Sequence, residues 1–163
     1  MTHPAANVWD AAPKKVAKGG PKNDLELQSQ CNLFTWARNP AVQSMYPGID
    51  VLSSSLNGVK LSKAQAGKAK GAGMLAGEHD IRLPVARGGY VGLTIEMKAG
   101  TNGMTAKQKW YRDRMIEEGH LVAACWDWLD AKHLIVAYLT APPTGTVGER
   151  ADFSSNTNAT LYR

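Results

Sequence analysis

Three residues in this chain have types and spacing suited to chemistry: Asp80, Glu96 and Lys98. They lie in the stretch 77–98, Gly-Glu-His-Asp-Ile-Arg-Leu-Pro-Val-Ala-Arg-Gly-Gly-Tyr-Val-Gly-Leu-Thr-Ile-Glu-Met-Lys. Apolar residues alternate on both sides of Arg87-Gly88-Gly89, the period-2 signal of a β-hairpin with a three-residue, glycine-containing turn. Folding about Gly88 sets Ile81 against Ile95, Leu83 against Leu93 and Val85 against Val91. The same register puts Asp80 opposite Glu96, with Lys98 on the same face. Like charges opposite each other in a sheet are unfavourable. Both acids can stay ionised if a divalent cation lies between them; otherwise one has a raised pKa. Carboxylate oxygens suit a hard cation such as magnesium or manganese. A neighbouring lysine could orient a water or stabilise charge growing on a phosphate. The plainer reading is a polar outer face on an antiparallel hairpin, since Glu-x-Lys is common on strands.

Composition narrows the class. The chain has 163 residues, which suits one domain with tails. It carries 19 Lys+Arg against 14 Asp+Glu, a net charge of +5 that favours an anionic partner. Cys31 and Cys125 each sit in an apolar segment and read as buried thiols in a reducing compartment. The histidines His3, His79, His120 and His133 show no zinc-type spacing with them. No run is long enough to span a bilayer, and the N-terminus lacks the charged start and apolar core of a signal peptide, so an intracellular protein is expected.

The elements that must position the three residues follow in order. Residues 1–22, with Lys14, Lys15, Lys18 and Lys22, read as a flexible basic arm. Asn23 is a candidate N-cap for a first helix with Glu26 at N3, ending at Asn39-Pro40. Leu27, Cys31 and Phe34 form its expected buried stripe; Glu26, Gln30, Leu33 and Ala37 lie on a neighbouring face. Glu26 either caps its own helix or reaches the acidic patch, and local pattern favours capping. Residues 49–56 read as a strand left at Asn57-Gly58. No acid occurs between Asp50 and Glu78, whereas Lys60, Lys63, Lys68 and Lys70 do. Ser62 and Gln65 form a capping box for a helix weak in propensity but able to present these lysines to phosphates. Its plain alternative is a helix under the sheet with a solvated basic face. Thr105 with Gln108 caps a further helix ending at Gly119, and residues 121–126 read as a buried strand. Strand, helix, strand is a crossover unit, so 121–126 should run parallel to 91–97, giving a mixed sheet. Asp127 caps a last helix to about Leu139, and residues 141–163 read as an irregular tail. Trp36, Trp110 and Trp126 fall in periodic segments and are expected in the core.

With these elements placed, the pattern Asp80, then Glu96-Met97-Lys98, resembles the PD-(D/E)xK nuclease superfamily. More narrowly it resembles the VRR-Nuc family, including small stand-alone phage and bacterial members. The matching features are Glu26 and Gln30 in the first helix, Asn57-Gly58, Asp80, Glu96-x-Lys98, and Gln108 with Trp110. The resemblance covers about residues 24–139. It departs at His79, where the family usually has proline before the aspartate; His79 then either touches substrate or packs. The resemblance implies an α/β, restriction-endonuclease-like core over residues 23–140, with a central mixed sheet flanked by helices. It also implies that Asp80 and Glu96 ligate Mg2+ or Mn2+, with the Met97 carbonyl as a further oxygen and Glu26 joining directly or through water. Lys98 would position the attacking water, and Gln108 would sit beside Lys98 or a phosphate.

The function implied is a metal-dependent DNA endonuclease, similar to Holliday-junction resolvases and so acting on branched DNA as a homodimer, cytoplasmic and in some members phage-encoded. Lys60, Lys63, Lys68 and Lys70, with the hairpin arginines Arg82 and Arg87, are the expected DNA contacts. The alternative from another class is a non-catalytic, basic DNA-binding protein on the same fold. The complete Asp/Glu/Lys set argues against it, because binding alone does not call for carboxylates facing phosphate. A sugar or nucleotide enzyme lacks support: there is no glycine-rich phosphate loop followed by Lys-Ser/Thr and no Gly-x-Ser-x-Gly.

Overall fold

In a computed structural model of the chain, the described residues are 22–55, 57, 59, 61–145 and 150–163, with side chains from residue 25 onward. The expected basic arm, the Asn23 cap, Gly58 and Lys60 therefore lie outside the described residues or side chains. Five helices, α1 (Lys22–Ala37), α2 (Pro40–Met45), α3 (Lys63–Gly71), α4 (Ala106–Glu117) and α5 (Trp128–Thr140), accompany five strands. The strands are β1 (Ser53–Ser54), β2 (Ile81–Leu83), β3 (Leu93–Met97), β4 (Leu121–Cys125) and β5 (Thr160–Tyr162), in sheet order β1-β2-β3-β4-β5. All pairs are antiparallel except β3–β4, which the α4 crossover makes parallel, as expected.

The hairpin register is the expected one: Ile81 pairs with Ile95 and Leu83 with Leu93. Odd-numbered residues of β3 and β4 join Leu33, Phe34 and Ala37 of α1 and Leu134, Ile135 and Tyr138 of α5 in one core. Both strands are buried on both faces, which suits central strands with a helix layer on either side. Toward the turn the register slips. Arg87 and Tyr90 exchange backbone hydrogen bonds across Gly88 and Gly89, whose φ values are +57° and +85°. This is a two-residue turn with both central residues left-handed, which explains the paired glycines. The expected Val85–Val91 pair does not form: Val85 packs under Gly48 and Val91 is exposed.

Other expectations need correction. Residues 49–56 form a 3-10 turn, Ile49–Val51, and only Ser53–Ser54 joins the sheet as an edge strand. In α1 the inward face carries Leu33, Phe34 and Ala37, while Leu27 and Cys31 are exposed. Helix α3 has its capping box but buries none of its residues, so it does not pack under the sheet. Trp110 and Trp126 are exposed, not core. The segment after residue 140 is not wholly irregular: Phe153 packs on Tyr90 and Tyr138, and β5 pairs with β4. Among the described residues, no helix is long and apolar enough to cross a membrane.

Gly77 links the segment after α3 to the N-terminus of α4. Its φ is +94°, and a Cβ there would lie 2.6 Å from the Lys107 carbonyl carbon. Gly77→Ala is therefore expected to destabilise the protein by about 2 kcal/mol or more. An unfolding free energy from urea titration within about 0.5 kcal/mol of wild type would show that this close approach is not required.

Candidate active site

The site forms at the end of the hairpin away from its turn. Asp80 immediately precedes β2, and Glu96 is the penultimate residue of β3, on the face opposite Ile81 and Ile95. Continuing the register by one pair sets the two acids opposite each other. The link observed is the Met97 N–H donating to Asp80 Oδ2 at 2.8 Å. On the other side of Asp80, its carbonyl accepts from Ser55 N–H at 2.9 Å. The aspartate is thus held through its backbone by the edge of the sheet and through its side chain by β3.

Glu96 is buried, with 2% of its surface exposed, and Lys98 beside it has 7%. Lys98 Nζ donates to Glu96 Oε1 at 2.8 Å and to Gln108 Oε1 at 3.0 Å. Gln108 Nε2 donates to the same Glu96 oxygen. The Gln108 side chain also accepts from Thr105 N–H at 2.8 Å, while Gln108 N–H donates to the Thr105 hydroxyl. One Gln108 side chain thus serves both the helix cap and the Lys98–Glu96 pair. Glu96 Oε2 is left buried with no hydrogen-bond partner among the described residues.

Among the described residues, Glu26 finds its partner outside its own helix. Its Oε1 accepts from Ala99 N–H at 3.0 Å, one residue beyond Lys98. It lines a polar pocket of about 150 Å³ together with Gln30, Asn57, Asp80, Glu96, Lys98 and Gln108. Asn57, which marks the strand exit and matches the family pattern in the sequence, has a structural task as well. Its Nδ2 donates to the carbonyls of Leu75 and Glu78 at 2.8 and 3.0 Å, closing the excursion that contains α3 beside the pocket. His79 packs. It is wholly buried, its Nδ1 lies 3.2 Å from Thr94 Oγ1 and its Nε2 3.2 Å from the Gln108 carbonyl, and it meets Tyr111 edge-on. Burial pushes its pKa down to about 4, so it is a neutral tie between the hairpin and α4.

The remaining expected residues lie around the pocket. Lys63, Lys68 and Lys70 are exposed on α3. Arg82 ion-pairs with Glu78. Arg87 donates to the Ala86 carbonyl at the opposite end of the hairpin. Among the described residues, no group of three or more His, Cys, Asp or Glu side chains is drawn together around a single point. The acidic pair is Asp80 with Glu96, and Glu26 stands behind it on the Ala99 amide.

Burial raises the pKa of both acids. Asp80 rises to about 6, chiefly by desolvation, against the pull of the Met97 N–H and Lys98. Glu96 rises to about 7, by desolvation and then by the charge of Asp80, against Lys98. The pair resists ionising together, so near neutral pH it still holds part of a proton beside the Lys98 ammonium.

No family model matches the chain, and no curated protein matches it. Among solved structures it is similar to a VRR_NUC domain protein, with a TM-score of 0.55 and 24% identity over 80% of this chain and 93% of that one. The chain therefore has the expected α/β, restriction-endonuclease-like fold, a mixed five-stranded sheet flanked by helices.

The raised acids set a pH dependence. In the folded state they hold protons that the unfolded chain has released above about pH 4, so folded protein binds more protons between about pH 4 and 7. Stability in chelator should fall as pH rises through that window, by an amount that Glu96→Gln reduces. A melting temperature that rises across the window equally in both proteins would contradict the burial of this pair.

Proposed function

We propose that the protein is a metal-dependent deoxyribonuclease that hydrolyses phosphodiester bonds at the Asp80–Glu96–Lys98 site. The observation that carries this reading is the unpartnered, buried Glu96 Oε2 beside Asp80, in a polar pocket on a fold shared with a VRR_NUC domain protein. The donor set fits a hard divalent cation. Asp80 uses Oδ2 for the Met97 N–H, Glu96 uses Oε1 for Lys98 and Gln108, and each keeps its second oxygen. We assign Mg2+ or Mn2+ to these two carboxylates, with the Met97 carbonyl and water as further oxygens and Glu26 reached through water. Such an ion lowers the pKa of bound water and screens the phosphate.

The chain's own residues supply the rest. Lys98 orients the attacking water and stabilises charge on the phosphate. Gln108 fixes both Lys98 and the Lys98-facing oxygen of Glu96, and the Thr105 cap fixes Gln108. Burial keeps the lysine from exchanging partners with bulk solvent. The products are a 5′-phosphate and a 3′-hydroxyl. Lys63, Lys68 and Lys70 meet the backbone of the DNA, since Asn57 holds the base of the α3 excursion at the pocket rim. Lys60, Arg82 and Arg87 extend that surface less directly, with Arg82 first having to leave Glu78. Cutting branched DNA on two strands takes two such sites, so the working unit on that substrate is a homodimer.

The direct test is cleavage of duplex, single-stranded, flapped and four-way-junction DNA with Mg2+ or Mn2+ against chelator. Asp80→Asn should lose both metal affinity and cleavage. Lys98→Met, which keeps the buried stem, should reduce cleavage at least ~100-fold while DNA affinity stays near wild type. Cleavage by Lys98→Met at the wild-type rate would remove its catalytic role. DNA binding with no metal-dependent cutting of any substrate would favour the non-catalytic binder.

Neutralising Lys63, Lys68 and Lys70 together should lower the magnitude of the log affinity against log salt slope by roughly two to three units, equally for all DNA sequences. The measurement is a salt titration in calcium. An unchanged slope would place these lysines away from DNA.

A further inference from the structure

A second concavity runs from the active-site pocket along α1. It has a volume of about 300 Å³, within the range of small-molecule sites, and lies between α1 and the edge strand β1. Leu27 and Gln30 line both spaces, so the groove continues the pocket. Its α1 wall runs on through Cys31 and Phe34 to Arg38, at helical spacing on one face. The Arg38 guanidinium sits 5.4 Å from the centre of the Phe34 ring. Ser55 forms part of the opposite wall; it is 6% exposed, and its hydroxyl has no hydrogen-bond partner among the described residues. Among the described residues, none that lines the groove is acidic.

These features suit one kind of occupant. An apolar and aromatic wall with a guanidinium stacked on it receives a flat base, because unstacked bases settle on aromatic rings and arginine planes. The Arg38 cation offers a partner for a phosphate. A buried hydroxyl without a partner costs free energy until something bonds to it. A base inside a duplex is stacked and paired, so it reaches such a groove only when unpaired. We propose that this groove binds an unpaired nucleotide of the DNA strand adjoining the scissile phosphate. The base lies against Leu27 and the Arg38 guanidinium, whose charge also meets its phosphate, and its polar edge meets Ser55. This rests on the nuclease reading above and adds a substrate feature to it.

Cys31 provides the test, because it is exposed in the groove whereas Cys125 is fully buried. The full-length protein is alkylated with N-ethylmaleimide in calcium, with saturating duplex DNA either fully paired or carrying a three-nucleotide bulge. Bulged DNA should slow Cys31 alkylation at least about tenfold, and paired DNA much less. Ser55→Ala should weaken affinity for the bulged DNA about fivefold without lowering the thermal midpoint, since the free protein loses only an unpartnered hydroxyl. Equal alkylation rates with the two DNAs, in a protein that cuts DNA with Mg2+, would overturn the groove and leave the nuclease standing. Selective protection of Cys31 in a protein that cuts neither DNA would support the groove and overturn the nuclease. Neither cutting nor selective protection would overturn both.

Discussion

The structure depends on keeping two carboxylates, Asp80 and Glu96, side by side out of water. Burying one acid is unfavourable, and burying two next to each other adds their repulsion. Each nearby polar contact relieves part of that cost. The Met97 amide donates to Asp80, Lys98 and Gln108 donate to one oxygen of Glu96, and the Ala99 amide holds Glu26 nearby. The compensation is incomplete, because Glu96 Oε2 has no donor among the described residues and burial raises the pKa of both acids. A protein selected only for stability gains nothing from such a pair. The arrangement becomes intelligible when an outside positive charge completes it, which is why the proposed chemistry begins there.

The surrounding elements have two tasks at once. The parallel β3–β4 pair forms the apolar core through its odd-numbered residues and presents Thr94 and Glu96 on the other face. Helix α4 closes that face, and the residue that caps it also grips Lys98 and Glu96. His79 occupies the position before Asp80. By bonding Thr94 and the Gln108 carbonyl while neutral, it fixes α4 against the hairpin without adding charge. The rigidity of the site is therefore a consequence of core packing and of a helix start, not of a dedicated scaffold.

Much of this was legible in the sequence because strand alternation has period two. Once Ile81 and Leu83 face Ile95 and Leu93, the side on which Asp80 and Glu96 fall is fixed. The capping box at Thr105 and the glycine after α4 placed the crossover in the same way. Where local signals were weak, tertiary contacts decided. The run from Ile49 to Leu56 has three consecutive serines after Leu52, and Gly48 at φ +99° leads it into a 3-10 segment before two of those serines reach the sheet. The inward face of α1 was misjudged because Leu27 and Cys31 look like core residues, yet they border the groove beside β1. The placement of Glu26 toward the acidic pair was carried by resemblance; the local capping pattern pointed elsewhere, and a contact 73 positions away holds its side chain beside the pocket. Strand β5 is three residues in a Ser/Thr/Asn-rich segment, and nothing local foretells its pairing with β4. Trp110 and Trp126 fit helical and strand patterns, but those patterns do not tell a core face from a surface one.

The central claim is that one divalent cation completes the Asp80–Glu96 pair. The most direct measurement is anomalous scattering from crystals soaked in Mn2+ at neutral pH. The expected result is a single strong peak within bonding distance of a carboxylate oxygen of each acid, absent in Glu96→Gln. A peak elsewhere, or none at this pair with manganese in excess, would contradict it.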